Sequence, residues 1–164
     1  CGLGLDRKNL ILKQGDNFLF IRLLDKKFPD YRRIIPARGG LQLTVGRQPF
    51  LEILKRMSML SAEKFKGVIL QVNDGWLDFR YHNPDVGGGE EKLPATLHYL
   101  EGETAGEELA LPFEISYNAR YLMEPLGILQ GEEVILELIE KKKPLRLKEA
   151  GDPDYFAIIM PMDL

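Results

Sequence analysis

Few residues in this chain have the means to do chemistry. His82 and His98 both fall in strand-like runs, and neither has a nucleophile motif such as G-x-S-x-G beside it, so each reads as a structural or surface histidine. Cys1 is the single cysteine, which rules out an internal disulfide, and two histidines leave too few soft ligands for a structural zinc site. Gly87-Gly88-Gly89-Glu90-Glu91-Lys92 is glycine-rich but lacks the Lys-Ser/Thr ending of a phosphate loop, and its two carboxylates would repel an anion. It reads as a loop. The acids of EGETAGEE and GEEVILELIEKKK read as solvated loop and strand-edge charges, because a general acid–base pair needs a site that shifts pKa values.

Two features do not fit a bland surface. In the helical pattern of residues 50–60, the turn of about 100° per residue puts Met59 opposite the apolar face, among Glu52, Lys55 and Arg56. Phe65 extends that apolar spot, and Lys64 and Lys66 follow; scattered surface hydrophobes and a solvated helix face are the ordinary alternatives. The second feature is a pair of segments. FPDYRRIIP, residues 28–36, sets Phe28, Tyr31, Ile34 and Ile35 between prolines beside Arg32 and Arg33, a composition suited to an anchored loop at a binding surface. IIMPMDL, residues 158–164, places two adaptable methionines around a proline, with an untidy final strand as the alternative.

The elements that must position these residues follow from periodicity and turn chemistry. NLILK and NFLFIRLL, separated by Gln14-Gly15-Asp16-Asn17, predict a β-hairpin, and two strands alone bury too little to be independent. Residues 25–40, with Pro29, Pro36 and Gly39-Gly40, read as a linker that ends a first segment, 1–38, and opens a second, 39–164. There LQLTV predicts a strand, and Phe50, Ile53, Leu54, Met57 and Leu60 predict a helix with one buried face. KGVILQV and WLDFRYH, joined by Asn73-Asp74-Gly75, predict a hairpin. A loop is expected over 83–91, then strands at LPATLHYL and LALPFEI. Asn118 should cap a short second helix that Pro125 bends or ends, before the strands EVILELI, PLRLK and YFAIIM. The order predicts an α+β fold with antiparallel sheets.

With 164 residues, the chain is long enough for one ordinary domain and a fragment. The absence of an initiator Met and the incomplete first hairpin predict a piece of a longer protein. No run approaches the ~20 apolar residues of a spanning helix, and the start lacks the pattern of a signal peptide. Lys+Arg 22 against Asp+Glu 25 gives a formal charge of -3, which argues against gripping nucleic acid by bulk charge, so any such contact would be local.

LLDKKFPDYRRIIP, LSAEKFKG, NARYL and the terminal IIMPMDL, in that order, resemble the bacterial replication sliding clamp, the β subunit of the DNA polymerase III holoenzyme. The resemblance extends over essentially the whole chain. It implies the DNA-clamp fold, with two helices packed against antiparallel sheets, residues 1–38 as the end of a central clamp domain and 39–164 as a complete C-terminal one. It also implies a non-catalytic, cytoplasmic processivity factor without cofactor or metal and without a membrane role. In the family, three similar domains per subunit and two subunits head to tail encircle double-stranded DNA without reading its sequence.

The resemblance further implies a peptide-binding cleft for DNA polymerase, clamp loader and repair proteins, carried here by Pro29, Arg33, Ile34, Tyr121, Pro144, Ile158, Met160, Pro161 and Met162. Met59, Leu60 and Phe65 match the subunit interface, and Lys55, Arg56 and Arg120 the DNA-facing helices. Asp163 stands where the family is usually basic and Lys26 where it often has glycine, which alters a charge near the cleft and the turn before FPDY. The full-length protein is expected to be a homodimer and the 164-residue chain a monomer. From the residues alone, a small carboxylate-dependent hydrolase and a stand-alone peptide-binding module stay open.

Overall fold

A computed structural model describes residues 1–36, 40–60, 67–83, 87–100, 109–140, 142–152 and 154–163, and the side chains of all of these except Leu60, His82 and Asn83. The chain divides into two compact units, Cys1–Tyr31 and Arg32–Leu164.

The first unit is a three-stranded antiparallel sheet of β1 (Gly2–Leu5), β2 (Asn9–Gln14) and β3 (Asn17–Arg22). The β2–β3 hairpin turns at Gly15, whose φ of 59° suits a residue without Cβ. β1 is an addition to the predicted pair. Its turn into β2 is held by Asp6, whose carboxylate accepts from the backbone N–H groups of Lys8 and Asn9, each at 2.7 Å. Those bonds keep the Asp6 carboxyl below the usual carboxylate range. Large side chains stand exposed in this sheet, among them Phe18 and Phe20, which stack on one another. A 3-10 turn, Tyr31–Arg33, follows.

Among the described residues the second unit holds two helices and eight strands: β4 (Gly40–Gly46), α1 (Arg47–Leu60), β5 (Gly67–Asn73), β6 (Trp76–Asn83), β7 (Gly87–Leu100), β8 (Phe113–Asn118), α2 (Ala119–Ile128), β9 (Glu133–Leu138), β10 (Leu145–Glu149) and β11 (Phe156–Ile159). The strands form one antiparallel sheet in the order β11-β10-β9-β4-β7-β6-β5-β8. Strict alternation of buried and half-buried residues in β4 and β5 follows from the two-residue strand period and gives the sheet one apolar face. α1 and α2 pack on each other, and Phe50 of α1 meets Phe79 of β6 with ring centroids 5.4 Å apart inside the core. Beyond β11, the Met162 N–H donates to the Ser116 carbonyl at 2.8 Å, so the tail connects one outer strand of the sheet to the other, β8.

Three expectations are corrected. Residues 87–91 are not loop but the start of β7, which pairs with β6 from Gly87 to Pro94 and with β4 from Ala95 to Leu100. Pro94 sits where β7 changes partners, a place that tolerates a missing donor. The first helix begins at Arg47 rather than Phe50, because the Arg47 guanidinium donates to the carbonyls of Gly131 at 2.7 Å and Leu126 at 3.2 Å. Pro125 does not end α2 at its own position: the helix runs to Ile128, and Leu129 N–H donates to the Pro125 carbonyl. Asn118 caps it as expected, its side chain accepting from Arg120 N–H at 3.0 Å.

Candidate functional site

Two clefts of the second unit share Met160. The first, about 460 Å3, is bounded by Arg33, Ile34, Ile35 and Pro36, by Ile139, Glu140, Lys142, Lys143 and Pro144 of the β9–β10 connection, and by Met160. The second, about 450 Å3, is bounded by Tyr121, Glu124, Pro125 and Ile128 of α2 and by Tyr155, Ala157, Ile158, Ile159 and Met160. The chain is folded there so that β11 presents the end of its run: Ile159 is buried, while Met160, the next residue, is 55% exposed between the two spaces. An unbranched thioether at that position adapts to differently shaped apolar groups.

Of the nine residues expected at a peptide cleft, Arg33, Ile34, Pro144 and Met160 meet in the first space, and Tyr121 and Ile158 join Met160 in the second. Pro161 and Met162 continue as the half-buried tail along β8 and line neither. Pro29 lies in the other compact unit. Ile139, Lys142 and Lys143 beside Ile34, and Ile128 and Tyr155 beside Tyr121, were not signalled by the sequence. They come from connections and element ends about ninety to a hundred and twenty residues beyond FPDYRR, where nothing local marks a shared wall.

The electrostatics of the two spaces differ. Glu124 is the charged group of the second, and its carboxylate is engaged by Arg120 one helical turn earlier, at 2.9 Å. The first carries Arg33, Lys142 and Lys143 against Glu140.

The other candidates fall on α1 and the sheet. Met59 is 83% exposed, opposite the buried Phe50, Ile53, Leu54 and Met57. Leu60 ends α1; its side chain lies outside the described residues, as does Phe65. Lys55 and Arg56 are exposed on the same helix, but Arg56 donates to both oxygens of Glu91 on β7, with Nε to Oε1 at 2.8 Å. That hydrogen bonding holds the Glu91 carboxyl below the usual carboxylate range and raises the guanidinium. His98 stands exposed on β7, while the His82 side chain lies outside the described residues.

A third hollow, about 550 Å3, is lined by Ile135, Arg146, Lys148, Glu149, Gly151, Asp152, Tyr155 and Phe156. Beside it Glu137, 6% exposed, accepts from Arg146 and, at 2.6 Å, pairs with Lys148. Both oxygens of the buried carboxylate are thereby occupied, which does not favour the acid–base chemistry of a hydrolase.

Residues 32–163 match the family model described as DNA polymerase III beta subunit, C-terminal domain. The chain is 38% identical over 144 residues to the beta sliding clamp of Pseudomonas putida, covering 87% of this chain and 36% of that protein. It is 34% identical over 164 residues to the beta sliding clamp of Pseudomonas aeruginosa, covering 99% and 41%. Among solved structures, the sliding clamp of Bartonella birtlesii bound to griselimycin superposes with a TM-score of 0.84 at 28% identity, over 99% of this chain and 41% of that one. The chain thus spans about two fifths of the length of these relatives.

Proposed function

The chain belongs to the DNA polymerase III beta subunit family, and from that premise we propose that it is the C-terminal domain, with the end of the preceding domain, of a ring-shaped sliding clamp. Residues 39–164 are the C-terminal domain in this reading, and 1–38 the end of the central one. The ring, a head-to-tail dimer of full-length subunits, encircles double-stranded DNA and tethers DNA polymerase, clamp loader and repair proteins during replication in the cytoplasm. It is not an enzyme: a closed ring retains its DNA topologically, so weak, sequence-independent contacts with phosphates are sufficient. That is consistent with a chain of net charge -3 whose helix cations Arg56 and Arg120 are each already paired with a carboxylate.

The observation that carries the reading is the position of Met160 between two clefts with apolar walls. A short partner segment can lay one large side chain on each side of it, with the cleft walls excluding water. Arg33, Ile34, Pro144, Tyr121 and Ile158 would contact the segment, and Pro161 and Met162 would hold the tail behind Met160. Met59, with Leu60 and Phe65, would meet the neighbouring subunit, and Lys55 would face the DNA. The 164-residue chain by itself is then monomeric in light scattering.

The test is a titration of a fluorescein-labelled clamp-binding peptide from the replicative polymerase into the chain, with a scrambled peptide as control. Saturable binding of the authentic peptide alone supports the cleft. Identical curves for the two peptides would remove it.

A further inference from the structure

We infer that the first cleft selects partner segments in which the apolar anchor is flanked by acidic residues, with Lys142 and Lys143 as the selecting groups. The inference rests on the peptide-cleft reading above and adds a preference to it.

Three observations carry it. In the connection between β9 and β10 the Lys143 N–H donates to the Glu140 carbonyl at 3.1 Å, which ties the backbone at Lys143 to Glu140, another residue of the cleft rim. Both lysines are exposed, both line the cleft with Ile34, Pro144 and Met160, and neither forms an ion pair among the described residues. The charge is also asymmetric across Met160. On one side Lys142 and Lys143 outnumber Glu140; on the other Glu124 is matched by Arg120. In a chain that is acidic overall, this is a local positive field beside an apolar wall.

A ligand that answers both must bring an apolar side chain and a carboxylate within a few residues of each other. An acid-flanked peptide segment does so. A nucleic-acid backbone supplies the negative charge but leaves the apolar walls of Ile34, Ile139, Pro144 and Met160 unfilled. The lysines are at the rim and solvated, so they would act on encounter rate and partner choice more than on the anchoring itself.

The experiment uses the labelled polymerase peptide in three forms with the same anchor, flanked by Asp-Asp, Asn-Asn or Lys-Lys. Each is titrated by anisotropy into the full chain and into the Lys142→Glu/Lys143→Glu variant. The Asp form should bind the unaltered chain on the order of tenfold more tightly than the Asn form at low salt, with the gap closing by about 0.5 M salt. The variant should lose or invert the order while still binding the Asn form. Equal affinities of the three forms for the unaltered chain would overturn the acidic preference and leave the cleft standing. Failure of all three to bind would overturn both. A single-stranded oligonucleotide that displaces the Asp form as well as unlabelled peptide does would also overturn the preference, by showing that charge alone is recognised.

Discussion

The Met162 backbone N–H lies 2.8 Å from the Ser116 carbonyl, and through it the segment that follows β11 is fastened to β8 at the opposite end of the sheet. Two residues earlier, Met160 forms a wall of both clefts. The tail therefore has one end that fastens it to the sheet and one that forms the cleft walls, two positions apart, and the two can be separated by mutation.

Met162→Pro removes the donor. A typical intramolecular hydrogen bond contributes about 1 kcal/mol net, so the variant should lose about that much stability in urea unfolding. An unchanged midpoint would mean that the bond to Ser116 does not hold the tail.

Met160→Ala should behave in the opposite way. The side chain is more than half exposed, so its truncation should leave the urea midpoint nearly unchanged. Loss of a shared anchor wall should weaken peptide binding by about 1–3 kcal/mol. Unaltered peptide affinity, measured by the same anisotropy titration, would show that the two clefts are not used together.

Phe50→Ala tests the core that positions everything else. Phe50 is fully buried against Phe79, and emptying such a site costs about 3–5 kcal/mol, enough to unfold a domain of ordinary stability at moderate temperature. Circular dichroism would register it as a large fall in melting temperature, and a fall of only a few degrees would mean that the core closes over the gap.

Glu91→Gln probes the tie between α1 and β7. The Glu91 carboxyl is depressed in the folded chain, so its contribution to stability is complete above the unfolded value near 4.5 and fades as pH falls through the lower folded value. The stability gap between the unaltered chain and the variant should be widest near neutral pH and shrink on acidification. A gap that stays constant down to about pH 3 would show that the pair with Arg56 is not formed in solution.

The α+β order, both hairpin turns, the Asn118 cap and the exposed Met59 were legible because each depends on neighbours within a few residues. The start of β7 was not. Gly87-Gly88-Gly89 has no side chains to show alternation, yet the backbone pairs with β6, and a Cβ on Gly89 would stand 2.6 Å from the ring of Tyr81 across the strands. Glycine is there because an aromatic ring covers the strand, a relation that only the cross-strand register reveals. The start of α1 was missed for a similar reason, since the acceptors of Arg47 are on residues 126 and 131. At the candidate site, Ile34 and Met160 were marked by their proline-bounded segments. Lys142 and Lys143 carried no signal, because nothing local says that their connection would come to rest beside Ile34.

The fastening of the tail to β8 also bears on synthesis. β4 must find β9 some ninety residues later, and the tail reaches β8 through Met162, near the end of the described residues. A nascent chain can assemble β4 to β7 and α1 early, but both clefts lack a wall until Met160 has left the ribosome.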